Sequence, residues 1–169
     1  MPSSTYDLIA TVYPTTTAFS ITAIPQTYTD LVLLVNARVT SAWDITAMQP
    51  NGIGSGYSSV YYEGSGNTIG TGTAEISFRM GYIPGTNQPN HYSADMVNIF
   101  NYANANVYKT VFSSNRYPPN QGTLQGFMVQ FKAGLLANTV AITSLTIGTA
   151  NGGTYASGSV YSLYGIKKE

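Results

Sequence analysis

Cysteine is absent from this chain, and charge nearly so. Of 169 residues, 14 are Lys, Arg, Asp or Glu, and His91 is the single histidine. That is 8% charged, where soluble domains carry about 25%. Without cysteine there is no disulfide framework and no thiolate metal or redox site. Seven basic residues balance seven acidic ones, so the basic stripe that phosphate-backbone binding requires is missing and no nucleic-acid partner is expected. No apolar run reaches the roughly 18–20 residues of a membrane-spanning helix, and no membrane association is expected. Met1–Thr5 lacks the basic segment and apolar stretch of a signal peptide, so the chain is expected to be made and used in the cytosol of the cell that expresses it. The side chains of acid–base, nucleophilic and metal chemistry are so rare that no catalytic residue, metal or cofactor is expected.

What fills the space is uncharged and polar: 16 Ser, 21 Thr, 13 Asn and 17 Gly, with 14 Tyr beside them. The length fits one domain that buries enough surface to stand without cross-links. Its periodicity is that of strands. Segments read as strands are 6–13, 19–23, 30–40, 44–48, 57–63, 73–83, 95–100, 108–113, 126–133, 141–147 and 159–166. Asp30–Thr40 is the strongest, with Leu31, Leu33, Val35, Ala37 and Val39 on one face and Val32 and Leu34 making its first half apolar on both. Thr73–Ile83 places Ala74, Ile76, Phe78 and Met80 together. Gly64–Gly72 and Asn115–Gly122 read as loops by composition, and Leu135-Leu136-Ala137 as one possible helical turn. About ten short strands with Gly, Pro, Asn and Ser turns predict an all-β fold, an antiparallel sandwich or barrel in a single domain. The predicted division is a short N-terminal arm (1–5), the β domain (6–166) and a charged, solvated tail (167–169).

Candidate chemistry is thin. His91 and Asp95 lie four apart, about 13 Å along a strand, too far for a catalytic or metal pair. No spacing singles out two of the seven acids for glycoside hydrolysis. The glycine-rich loops lack the acids of a calcium site and the lysine and helix of a phosphate loop. The tyrosines carry more: tyrosine is enriched at protein interfaces and stacks on sugar rings. The candidate interface is therefore Arg116, Tyr117, Pro118 and Pro119, read as a stiff two-proline loop, with Tyr57, Tyr61, Tyr62 and Tyr102.

The two ends bring a resemblance. Ile24-Pro25-Gln26-Thr27-Tyr28-Thr29-Asp30-Leu31-Val32-Leu33, Ala141-Ile142-Thr143-Ser144-Leu145-Thr146 and Ser162-Leu163-Tyr164-Gly165-Ile166 are similar to segments of small virion structural proteins of tailed phages of the cyanophage type, over about residues 6–166. Residues 44–63 depart most from that pattern. The resemblance implies a jelly-roll-like β-sandwich acting as a capsid cement (decoration) protein. Its implied partners are the major capsid protein of the phage head and further copies of itself, as a homotrimer, and its implied place is the capsid surface of the virion. The alternative is a receptor- or glycan-binding tip of a head or tail fibre. Only five residues precede the first strand, leaving no room for a shaft, which favours cement.

Overall fold

A computed structural model describes residues 5–63, 68–117 and 128–167. Twelve strands cover them: β1 (Tyr6–Val12), β2 (Ala18–Ile21), β3 (Asp30–Asn36), β4 (Trp43–Pro50), β5 (Tyr57–Glu63), β6 (Thr68–Glu75), β7 (Phe78–Pro84), β8 (Ala94–Phe100), β9 (Lys109–Tyr117), β10 (Met128–Leu136), β11 (Leu145–Thr149) and β12 (Val160–Ile166). They form two antiparallel sheets, one of eight strands in the order β1-β12-β3-β8-β9-β10-β5-β6 and one of four in the order β2-β11-β4-β7.

The order has a simple logic. When the β5–β6 and β9–β10 hairpins are set aside, eight strands remain. Counted along the chain they pair as 1-8-3-6 in one sheet and 2-7-4-5 in the other. That is the strand order of a jelly roll, two Greek keys wound over one core. The two hairpins then extend the larger sheet beyond β8. The sequence expectation of an antiparallel β-sandwich holds, with the jelly-roll order explicit in the topology.

The core follows from alternation. Leu31, Leu33 and Val35 on β3, Val97 and Ile99 on β8, and Tyr161 and Leu163 on β12 point inward and are buried. Ile21, Met48, Phe78, Leu145 and Ile147 of the smaller sheet meet them. Each such side chain contributes about 1.5–3 kcal/mol by leaving water. An aromatic group fastens the layers: the Phe19 ring of β2 lies 4.9 Å from Tyr161, and Tyr155 lies 5.4 Å from Tyr161. The Tyr161 hydroxyl also pairs with Thr46 Oγ1 across the sheets at 3.2 Å.

The extension is held against β7, an edge strand of the smaller sheet. Ser113 Oγ donates to the Met80 carbonyl at 2.8 Å, and Asn115 Nδ2 donates to the Tyr82 carbonyl at 3.0 Å. Glycines allow this approach. A Cβ at Gly81 would collide with the Asn115 side chain, and one at Gly134 with the Phe78 ring.

Some element boundaries differ from the sequence expectation. The third strand stops at Asn36; Ala37 and Val39 remain buried, with Val39 bridged to Tyr155. The glycine-rich 64–72 stretch contributes residues from Thr68 onward to β6, which pairs with β5. The expected strand 73–83 breaks at Ile76–Ser77 into β6 and β7, so Ile76 is 68% exposed while Phe78 and Met80 are buried. Leu135 and Leu136 belong to β10 rather than to a helical turn. Lys167 of the expected solvated tail forms an ion pair with Asp7, 2.9 Å between Nζ and Oδ1.

Candidate functional site

The large sheet turns one face to the core, and no strand of the described residues packs over its other face. Two rows cross that outer face. One runs Thr11, Ser162, Leu34, Met96, Ser114, Phe131, Tyr62, and the next Leu8, Tyr164, Val32, Asn98, Phe112, Ala133, Val60. Neither contains a charged residue. A third row ends the patch with Phe100, Thr110, Leu135 and Ser58. Leu34, Val60, Tyr62, Met96, Phe100, Phe112, Phe131 and Leu135 are each between 37% and 47% exposed. The Phe112 and Phe131 rings stack at 6.2 Å. Among the described residues of this face, charge appears toward the margins. Arg116 lies in the row with Ala94 and Val129, and Asp30, at the start of β3, accepts the Asn101 N–H at 2.7 Å.

At roughly 150–250 Å² per aromatic side chain, eight large apolar residues about two-fifths exposed present on the order of 600 Å². A typical monomer's largest apolar patch is about 300–600 Å², and one partner's share of a standard interface is about 800 Å². With the small and hydroxyl residues between them, these rows reach interface size.

The predicted interface residues scatter. Tyr57 and Tyr102 are core residues, 3% and 0% exposed. Their hydroxyls donate to the carbonyls of Ile53 and Pro25 respectively. Burial pushes the Tyr57 phenol up to about 12. Arg116 and Tyr117 are not a loop but the end of β9, so alternation sends them to opposite faces: Arg116 is exposed, Tyr117 buried. Tyr61 and Tyr62 separate in the same way, with Tyr61 inward beneath Lys132, whose Nζ is 5.2 Å from its ring centroid. Of the eight predicted residues, Tyr62 lies in the outer rows and Arg116 at their margin. Pro118 and Pro119 fall outside the described residues. The aromatic residues that make the face, Phe100, Phe112 and Phe131, were missed because the reading followed tyrosine alone. The available signal was strand parity: they alternate with inward Ile99, Val111 and Lys132.

Among the described residues four charged ones are buried: Asp44, Asp95, Lys109 and Lys132. Three of these have plain structural work. The Asp44 carboxylate accepts the N–H groups of Ile45, Asn151 and Gly153 at 2.7, 2.9 and 2.9 Å, tying the β11–β12 loop to β4. The Lys109 ammonium donates to the carbonyls of Asn104, Val107 and Thr139, and its burial lowers the ammonium's affinity for its proton. Asp95 receives the Asn115 amide and pairs with the Ser93 hydroxyl, and burial raises its carboxyl to about 8. His91 is exposed and bonds the Pro89 carbonyl through Nδ1 at 3.1 Å.

No family model and no curated protein matches the chain. Among solved structures, a protein of unknown function from Shewanella oneidensis MR-1 aligns with 95% of this chain and 75% of its own, at 9% identity and a TM-score of 0.22. A likeness that weak carries no functional meaning.

Proposed function

We propose that the protein is a structural subunit of a tailed-phage particle, a capsid cement protein that lies on the shell of the major capsid protein and clamps its neighbours. The observation that carries the reading is the outer face of the eight-stranded sheet, with two full rows free of charge and rich in exposed Leu, Met, Phe, Val and Tyr. Burying such a face against another protein strands no ion in a dry interface. The jelly-roll order and the resemblance of the terminal segments agree with it. The mechanism is additive: many apolar contacts and a few Ser, Thr and Asn hydrogen bonds join shell subunits whose own contacts are marginal. The working form in this proposal is a homotrimer at capsomer junctions.

Copy number tests the reading. Quantitative mass spectrometry of purified particles is expected to find hundreds of copies, comparable with the major capsid protein. A few to a few dozen per particle would overturn it in favour of a fibre component. A Phe112→Lys/Phe131→Lys variant is expected to fold normally and fail to bind heads stripped of the protein.

A further inference from the structure

Charge, so scarce elsewhere, gathers in one place. Glu63, Glu75, Arg79 and Lys132 sit where the edge strand β7 meets β5 and β10, on the side of the large sheet opposite the docking face. The Lys132 ammonium is attracted by Glu75 and Glu63 and repelled by Arg79, and Tyr82 lies within the field of Glu63 and Arg79. Glu63 Oε2 accepts the Gln130 amide at 2.8 Å, and Glu75 Oε2 accepts the Ser59 hydroxyl at 3.1 Å. Beside them runs an aromatic row. Tyr82 lies 5.5 Å from Trp43 and 5.6 Å from Tyr117, ring centre to ring centre. Trp43 is the only tryptophan in the chain, and it is 41% exposed.

Two features of this crescent are unexplained by folding alone. An ordinary solvated face would not take four ions and three aromatic rings from a sequence that otherwise avoids charge. And Gln130, 2% exposed, spends its amide N–H on Glu63 while its Oε1 is buried without a hydrogen-bond partner. A buried acceptor left empty costs about 1–3 kcal/mol; beside two carboxylates and an aromatic row, it points to a ligand that brings hydroxyl donors. The two acids and two bases cancel, so a ligand with net charge of either sign meets repulsion from half of them. A pyranose fits: it has an apolar C–H face for an aromatic ring and a rim of O–H groups that donate and accept. Convergent polar groups beside aromatic rings are the general form of a small-ligand site.

We propose that this crescent binds a neutral saccharide, one ring face packing on Trp43 and Tyr82, with its hydroxyls donating to Glu63 and Glu75 and accepting from Arg79. Lys132, held over the Tyr61 ring, adds its positive field beneath the two carboxylates, which Gln130 and Ser59 hold in place.

Because Trp43 is unique, its fluorescence reports on the site directly. The intact protein is titrated with maltohexaose, cellohexaose, chitohexaose and mannohexaose to millimolar concentration. At least one is expected to shift the Trp43 emission saturably. Glu63→Gln is expected to weaken that binding about tenfold or more, the loss of one hydrogen bond to a charged group. Trp43→Ala, exposed and therefore tolerated by the fold, is expected to abolish the saturation-transfer signal of the same sugar by NMR. Phe112→Lys, on the opposite face, is expected to leave binding unchanged. No response to any of the four sugars, equal affinity in Glu63→Gln, or equal loss in Phe112→Lys overturns the proposal. None of these outcomes bears on copy number in the particle, so the saccharide site and the docking face fail separately.

Discussion

The Asp95 carboxyl, buried between Asn115 and Ser93, stands at about 8 against 3.8 for an exposed aspartate. Between those two values the folded protein holds a proton that the unfolded chain has released, so stability falls as pH rises through this window. The contribution is fully present below about pH 4 and lost above about pH 8. Asp95→Asn, which mimics the neutral acid, is expected to flatten this slope. Its melting temperature relative to the parent should climb from pH 5 to pH 9, and a constant difference would refute the assignment. Lys109 is the opposite case, a cation satisfied by three carbonyls. Lys109→Met keeps the stem and removes the donors. It is expected to cost about 1–3 kcal/mol or more as those carbonyls lose their partner, read as a lower urea midpoint at unchanged slope. Both burials were legible in strand parity, since Asp95 alternates in step with Val97 and Ile99, and Lys109 with Val111. What parity could not supply was the partners. The carbonyls around Lys109 come from the segment before β9 and from Thr139, 30 residues away, and no local pattern announces them.

Between the sheets, β9 and β10 pack closely on β7. Ser113→Ala is expected to cost about 1 kcal/mol, the net worth of one hydrogen bond. Gly134→Ala drives a methyl group into the Phe78 ring and is expected to cost about 1–3 kcal/mol as overpacking. Phe78→Leu should recover part of that loss in a double-mutant cycle; strict additivity would show that the two do not touch. β5 was readable from the sequence to its exact ends because it is bounded by glycine on both sides and rich in Tyr and Val. β6 was not, since Thr68-Ile69-Gly70-Thr71-Gly72 has turn composition and owes its strand to pairing with β5. The break at Ile76–Ser77 escaped for the converse reason. Ala74, Ile76, Phe78 and Met80 keep perfect alternation through a bend that carries the chain from one sheet to the other.

For the whole molecule, two faces of the extended sheet differ in kind: one apolar and free of charge except at its margins, the other holding the crescent of ions and rings. The first predicts a native state that binds the dye ANS without unfolding, because its apolar surface is already accessible. Phe112→Lys/Phe131→Lys is expected to lower that fluorescence several-fold while keeping the fold, at a cost of about 1–3 kcal/mol for the lost ring stack and the partly buried apolar area. An unchanged ANS signal would mean that the dye reads some other surface. The sandwich class was legible because strand periodicity is local, but which face stays bare was not, since it depends on where both hairpins add to the sheet. The place of β12 between β1 and β3 has a further consequence, and it concerns time. Those two strands are joined in the sheet only through the residues Val160–Ile166. During synthesis β1 must therefore wait, its apolar side chains unpaired, until Val160–Ile166 have left the ribosome. The larger sheet thus closes only after the intervening strands have been made, and a chaperone that shelters β1 during that interval should raise the yield more than one acting after β12 has emerged.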